Sequence, residues 1–112
     1  MQIEKKVNGD IVIFSFSGNL ILSELESVRE QVRDTIEKEN VNNIIFDMTD
    51  VDFIDSAGIG FVVSIYKTLK GRNGKFALCG LKTKPKEVFS LTRLDKIIKI
   101  YDDLETAIEN FK

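Results

Sequence analysis

The sequence predicts an α/β fold with a mixed central sheet, and three observations carry that prediction. The run Ile44-Ile45-Phe46-Asp47-Met48 is apolar apart from one acid, the pattern of a strand covered on both faces. Helical spacing of apolar residues alternates with further short apolar runs along the rest of the chain. The chain opens on two strand-like segments that flank Asn8-Gly9-Asp10, a hairpin turn signal. The element order is therefore ββαβαβαβα. Each gap after the hairpin contains a helix, which a parallel strand pair needs as its crossover. Four or five strands are expected, with Ile44–Met48 in the middle of the sheet.

Gln2 to Val7 forms the first strand, and Ile11 to Ser17, β-branched and aromatic, the second. Gly18-Asn19 ends it. Ser23-Glu24-Leu25-Glu26 has the form of a capping box. Leu25, Val28, Val32 and Ile36 follow at helical spacing to about Glu39, with charged residues, including an Asp34–Lys38 i,i+4 pair, on the other face. After the central strand, Thr49 to Asp55 reads as a connecting loop anchored by Val51, Phe53 and Ile54. A helix from about Ala57 to Lys70 turns Ile59, Val62, Val63, Tyr66 and Leu69 inward and stops at Gly71-Arg72-Asn73-Gly74. Lys75 to Cys79 is a short apolar strand. The next helix carries Pro85 in its first turn, where a missing N–H is tolerated, and buries Val88, Phe89 and Leu91. Ile97 to Tyr101 is the final strand. Asp102-Asp103 cap a last helix with Leu104, Ala107, Ile108 and Phe111 on one face.

A length of 112 residues fits one domain spanning 1–112, and the shares of 43% hydrophobic and 30% charged residues suit a globular core with a solvated surface. The 16 basic residues are interleaved with 18 acids for a net charge of −2, so no field draws in nucleic acid or an acidic membrane. No apolar run approaches the roughly 20 residues that span a bilayer, and the N-terminus lacks a signal-peptide stretch. A cytoplasmic monomer is expected. The absence of histidine removes Ser-His triads, Cys-His pairs and histidine metal sites. The single cysteine, Cys79, lies in Phe76-Ala77-Leu78-Cys79 and reads as a buried structural thiol.

The polar turn Asp55-Ser56-Ala57-Gly58-Ile59-Gly60 joins the central strand to the following helix, at the carboxyl end of a parallel strand where sites in such sheets gather. Its serine lies over the positive end of a helix dipole. Serine hydrolase chemistry lacks both a histidine base and the glycine two residues before the nucleophile, since position 54 is Ile. Neither phosphate-binding glycine pattern is present. Asp47, Asp50, Asp52 and Asp55 suggest a receiver-type phosphoacceptor site, but no acidic pair follows the first long strand. Ser56 as helix N-cap is the plainest reading, worth roughly 1 kcal/mol. It leaves Gly58 and Gly60 unexplained, since each costs about 1 kcal/mol relative to Ala in a helix. Such glycines suggest close approach by another backbone or packing against the sheet. A further reading makes Ser56 the target of another enzyme. A phosphate at a helix N-terminus suits the host fold, yet places about −1.5 to −2 charges in the face of a docked partner.

These residues resemble the STAS-domain, anti-sigma factor antagonist family. The resemblance rests on Asp55 to Gly60, on Ile44-Ile45-Phe46-Asp47 and Val51-Asp52-Phe53-Ile54 before it, on Leu91-Thr92-Arg93-Leu94-Asp95-Lys96-Ile97-Ile98, and on the opening hairpin closed by Gly18. It implies the STAS fold over the whole chain and a bacterial regulator that is not an enzyme. By that resemblance Ser56 is phosphorylated by an anti-sigma factor with serine kinase activity and restored by a PP2C-type phosphatase. The unphosphorylated form binds the anti-sigma factor and frees the sigma factor. Asp55, Ala57, Gly58, Ile59 and Gly60 belong to the docking surface, with Asp52 and Asn19 beside them. ATP and its magnesium belong to the kinase, and no cofactor or metal is expected on this chain. The sequence departs from the family at Asn19-Leu20-Ile21, where an acid, an apolar residue and Asp are usual. A ligand- or nucleotide-sensing STAS module is the alternative.

Overall fold

Helices α1 to α3 cover one face of a five-stranded sheet in a computed structural model that describes residues 1–111. The strands are β1 (Gln2–Asn8), β2 (Ile11–Leu20), β3 (Asn43–Ile54), β4 (Lys75–Cys79) and β5 (Lys99–Tyr101). The helices are α1 (Leu25–Glu37), α2 (Ser56–Gly71), α3 (Thr83–Leu91) and α4 (Leu104–Glu109), with 3-10 turns at Leu22–Glu24 and Leu94–Lys96. The predicted order ββαβαβαβα is the observed one. The strands lie side by side in sequence order, β1 antiparallel to β2 and the rest parallel, with β3 in the middle.

That layout follows from the handedness of crossovers. Successive right-handed βαβ units that move in one direction along a sheet must put their helices on one face. Leu25, Val28, Val32 and Ile36 of α1, Phe61, Val62, Ile65 and Leu69 of α2 and Phe89 of α3 accordingly share one core with Val12, Phe14, Phe16, Ile44, Phe46 and Met48. Phe46 is its hub. Its ring meets Phe16 at 4.8 Å and Phe76 at 4.9 Å edge-on, and stacks on Phe61 at 5.8 Å. Burying each such ring is worth about 1.5–3 kcal/mol. Helix α4 lies on the other face, over Ile11, Ile13, Ile45 and Cys79, with Tyr101 and Phe111 beside it. The Asp103 carboxylate caps α4 by accepting from the Thr106 N–H at 2.8 Å, as expected.

Several boundaries differ from expectation. Thr49 to Asp55 is largely not a loop, because β3 runs on to Ile54, and β2 does not end at Gly18-Asn19 but pairs with it to Leu20. Register shifts at Ser15/Ser17 and Gly18/Asn19 break the alternation, so Met48, Val51 and Ile54 all face the core while Phe53 does not. The Ser23 capping box is not formed. The 3-10 turn already bends the chain there, Glu24 is the N-cap of α1, and no side chain caps it. Helix α1 ends at Glu37, with Lys38 as its C-cap, and the Asp34–Lys38 pair stands at 3.5 Å. In α2, Phe61 and Ile65 occupy the buried stripe, and Ile59, Val63 and Tyr66 are only half-buried. Leu91 is 84% exposed at the end of α3, while Phe89 is buried as expected, Val88 is half-buried and Pro85 is buried as well. The final strand is shorter than predicted, because a 3-10 turn precedes it and leaves Ile97 exposed.

Candidate functional site

Asp55 and Ser56 are both good cap residues, and the structure gives the cap to Asp55. Asp55 has extended backbone, φ −98° and ψ −177°, and its Oδ1 accepts from the Gly58 N–H at 2.8 Å. Its Oδ2 accepts from the Leu22 N–H at 3.1 Å, and its own N–H donates to the Leu20 carbonyl at 3.3 Å. A carboxylate fits this place because it answers two N–H donors and the helix dipole together. The Gly58 and Leu22 N–H groups, in that order, hold the Asp55 carboxyl below its ordinary 3.8.

Ser56 is thus the first residue of α2 rather than its cap. It is exposed, and among the described residues its hydroxyl makes no hydrogen bond. No histidine is present in the chain and, among the described residues, no base is hydrogen-bonded to the hydroxyl, so it lacks the partner that activates a serine nucleophile.

The two glycines behind it differ. A Cβ on Gly58 would stand 2.2 Å from the Leu20 carbonyl oxygen and 2.7 Å from Ile54 Cγ1, so α2 rests directly on the backbone of β2. This is the close approach predicted for the motif. A Cβ on Gly60 would meet nothing within 4 Å. Contact with the rest of the chain therefore explains Gly58 and leaves Gly60 unaccounted for.

The four acids do not converge. Asp47 Oδ1 accepts from the Thr49 hydroxyl at 2.6 Å and its N–H at 3.1 Å. Asp52 pairs with Lys82 at 2.6 Å, which holds the lysine pKa above its ordinary 10.5. Asp50 is exposed opposite Ser17, and Asp55 is the cap. Among the described residues no three such side chains gather as metal ligands.

Around Ser56, Ala57 and Ile59 are half-buried and Gly60 is exposed. Asn19 is exposed and lies opposite Phe53 across the β2–β3 ladder. In the departing segment Leu20 is fully buried and supplies the carbonyl that Gly58 rests against. Two apolar side chains that the sequence did not mark for the site stand open here: Leu22, 69% exposed, and Phe53, 50% exposed. Phe53 is turned outward by the second register shift, which alternation does not reveal. Leu22 lies between Ile21 and Ser23 with no signal that sets it apart.

A model of the STAS domain matches residues 2–107, and the chain belongs to that family. It is 34% identical over 107 residues to a Thermotoga maritima protein provisionally named an anti-sigma factor antagonist, covering 96% of this chain and 95% of that one. A crystal structure of a Thermotoga maritima protein so named superposes with a TM-score of 0.93 at 33% identity, over 97% of this chain and 93% of the other. The anti-sigma F factor antagonist of Paenibacillus polymyxa is 27% identical over 96% of this chain and 92% of its own. The phosphorylated form of Bacillus SpoIIAA shares the fold, with a TM-score of 0.79 at 22% identity over 99% of this chain and all of that one. SpoIIAA has also been solved unphosphorylated, with a TM-score of 0.75 at 20% identity over 97% of this chain and 96% of that one. Among the described residues, no helix is long and apolar enough to cross a membrane.

Proposed function

We propose that this chain is an anti-sigma factor antagonist whose binding is switched by phosphorylation of Ser56. The observation that carries the reading is the release of Ser56 from structural duty: Asp55 caps the helix, and the serine hydroxyl is left exposed at its first turn. Phosphate there suits the fold, since it meets the positive end of α2. It does not suit a partner docked over Leu22, Phe53 and Asn19, which would have to bury a dianion beside Asp52. The existence of phosphorylated and unphosphorylated forms of SpoIIAA supports the same logic.

In this reading the chain acts in the cytoplasm as a single STAS domain and as a monomer. The unphosphorylated chain holds an anti-sigma factor through Asn19, Asp52 and Asp55 to Gly60, and that factor's kinase activity modifies Ser56. A PP2C-type phosphatase resets it. The test is a pull-down with wild type, Ser56→Ala and Ser56→Asp. Ser56→Ala retains an anti-sigma factor of the serine-kinase type and Ser56→Asp loses it; equal recovery by all three sinks the switch.

A further inference from the structure

A groove of about 470 Å³ runs between α1 and α2, walled by Arg29 and Arg33 on one side and by Ala57, Gly60 and Ser64 on the other. Since β2 and β3 are parallel, both helices start at the carboxyl ends of the strands, and the groove runs along α2 from Ala57, the residue after Ser56. Arg29 and Arg33 line it, with Glu37 one turn further along α1. Arg29 and Arg33 are four residues apart on one helix face, a like-charged spacing that weakens a helix. Glu26, Glu30 and Glu37 are within reach in sequence, yet among the described residues neither arginine has a carboxylate within ion-pair distance. The floor beside them is open at Gly60, the glycine that contact within the chain does not explain.

We propose that this groove receives an acidic helical segment of the anti-sigma factor. Two carboxylates one turn apart on that segment would face Arg29 and Arg33, and its backbone would approach α2 over Gly60. An acidic segment is the occupant favoured by charge, because the groove holds two cations with no carboxylate partner among the described residues. The proposal rests on the functional reading above and extends the docking surface along α1, away from the motif.

The test uses the anti-sigma factor recovered with Ser56→Ala, identified, expressed alone and titrated calorimetrically at low and high salt. Arg29→Glu/Arg33→Glu weakens binding roughly tenfold or more at low salt, and high salt then restores part of the affinity instead of weakening it. Ser64→Leu, at an exposed groove residue outside the Asp55–Gly60 surface, weakens binding similarly while thermal melting shows the fold intact. Reversing the charges of the partner's acidic segment restores affinity for the Arg29→Glu/Arg33→Glu chain. Wild-type affinity in both variants overturns the groove and leaves the switch standing. Failure of Ser56→Ala to bind any anti-sigma factor overturns the functional reading and this proposal with it. Saturable uptake of ATP or inorganic phosphate that the arginine changes abolish, with partner affinity unchanged, makes the groove a small-anion site and also overturns the proposal.

Discussion

Gly58 lies so close to Leu20 that a Cβ on the glycine would stand 2.2 Å from the leucine carbonyl oxygen. The contact joins the first turn of α2 to the last residue of β2, and backbone has no flexible end that could give way. The position of Ser56 is thus fixed by a glycine two residues later.

Gly58→Ala is accordingly expected to cost at least about 2 kcal/mol, as overpacking against backbone does. Gly60→Ala, with nothing within 4 Å of the new methyl, is expected to stabilise by about 0.5–1 kcal/mol. Urea unfolding of the two variants beside wild type checks the opposite signs.

Ser56→Ala and Ser56→Asp are both expected to unfold within about 0.5 kcal/mol of wild type, because the serine caps nothing. A loss of about 1 kcal/mol in the alanine variant would show that the hydroxyl does cap α2 after all.

The Asp55 carboxyl sets an acid limit. Its folded value lies below the ordinary 3.8, so around pH 4 the unfolded chain binds more protons than the folded one. Its contribution is full above the unfolded value of about 3.9 and is lost as pH falls through the folded value. Asp55→Asn keeps a cap but removes the titration, so its stability should fall less steeply below pH 4 in urea midpoints measured from pH 6 to pH 2.5. Asp103, lowered for the same reason at α4, leaves a residual slope in both proteins.

Burial, and then the nearby Asp47 carboxylate, push the Cys79 thiol up to about 12. In the folded protein at pH 8 it should react with a disulfide reagent on the order of a hundredfold or more slower than in the urea-unfolded chain. Comparable rates in the two states would place the thiol within reach of solvent.

The centrality of β3 was legible because Ile44 to Met48, apart from Asp47, is apolar on both faces, as a covered strand is. The last stretch of β3 was hidden. Its register shifts put Met48 and Val51 on the same side at a spacing of three, which breaks strand alternation and mimics one face of a helix. Ser56 could be found from its neighbours, but its freedom from capping could not. Adjacent Asp and Ser compete for one role, and only the reach of the Asp55 carboxylate to both Gly58 and Leu22 decides it. Apolarity alone put Leu91 on the buried side of its helix and Ile97 in the final strand, and both are exposed where α3 gives way to a 3-10 turn.

The side-by-side order β1-β2-β3-β4-β5 has a consequence for synthesis. Each strand that leaves the ribosome finds its partner already waiting at the growing edge, with no gap held open for a later segment. Every element that frames Ser56, from β2 through α2, lies before Arg72. The surface around Ser56 can therefore assemble while β4, β5 and α4 are still being made.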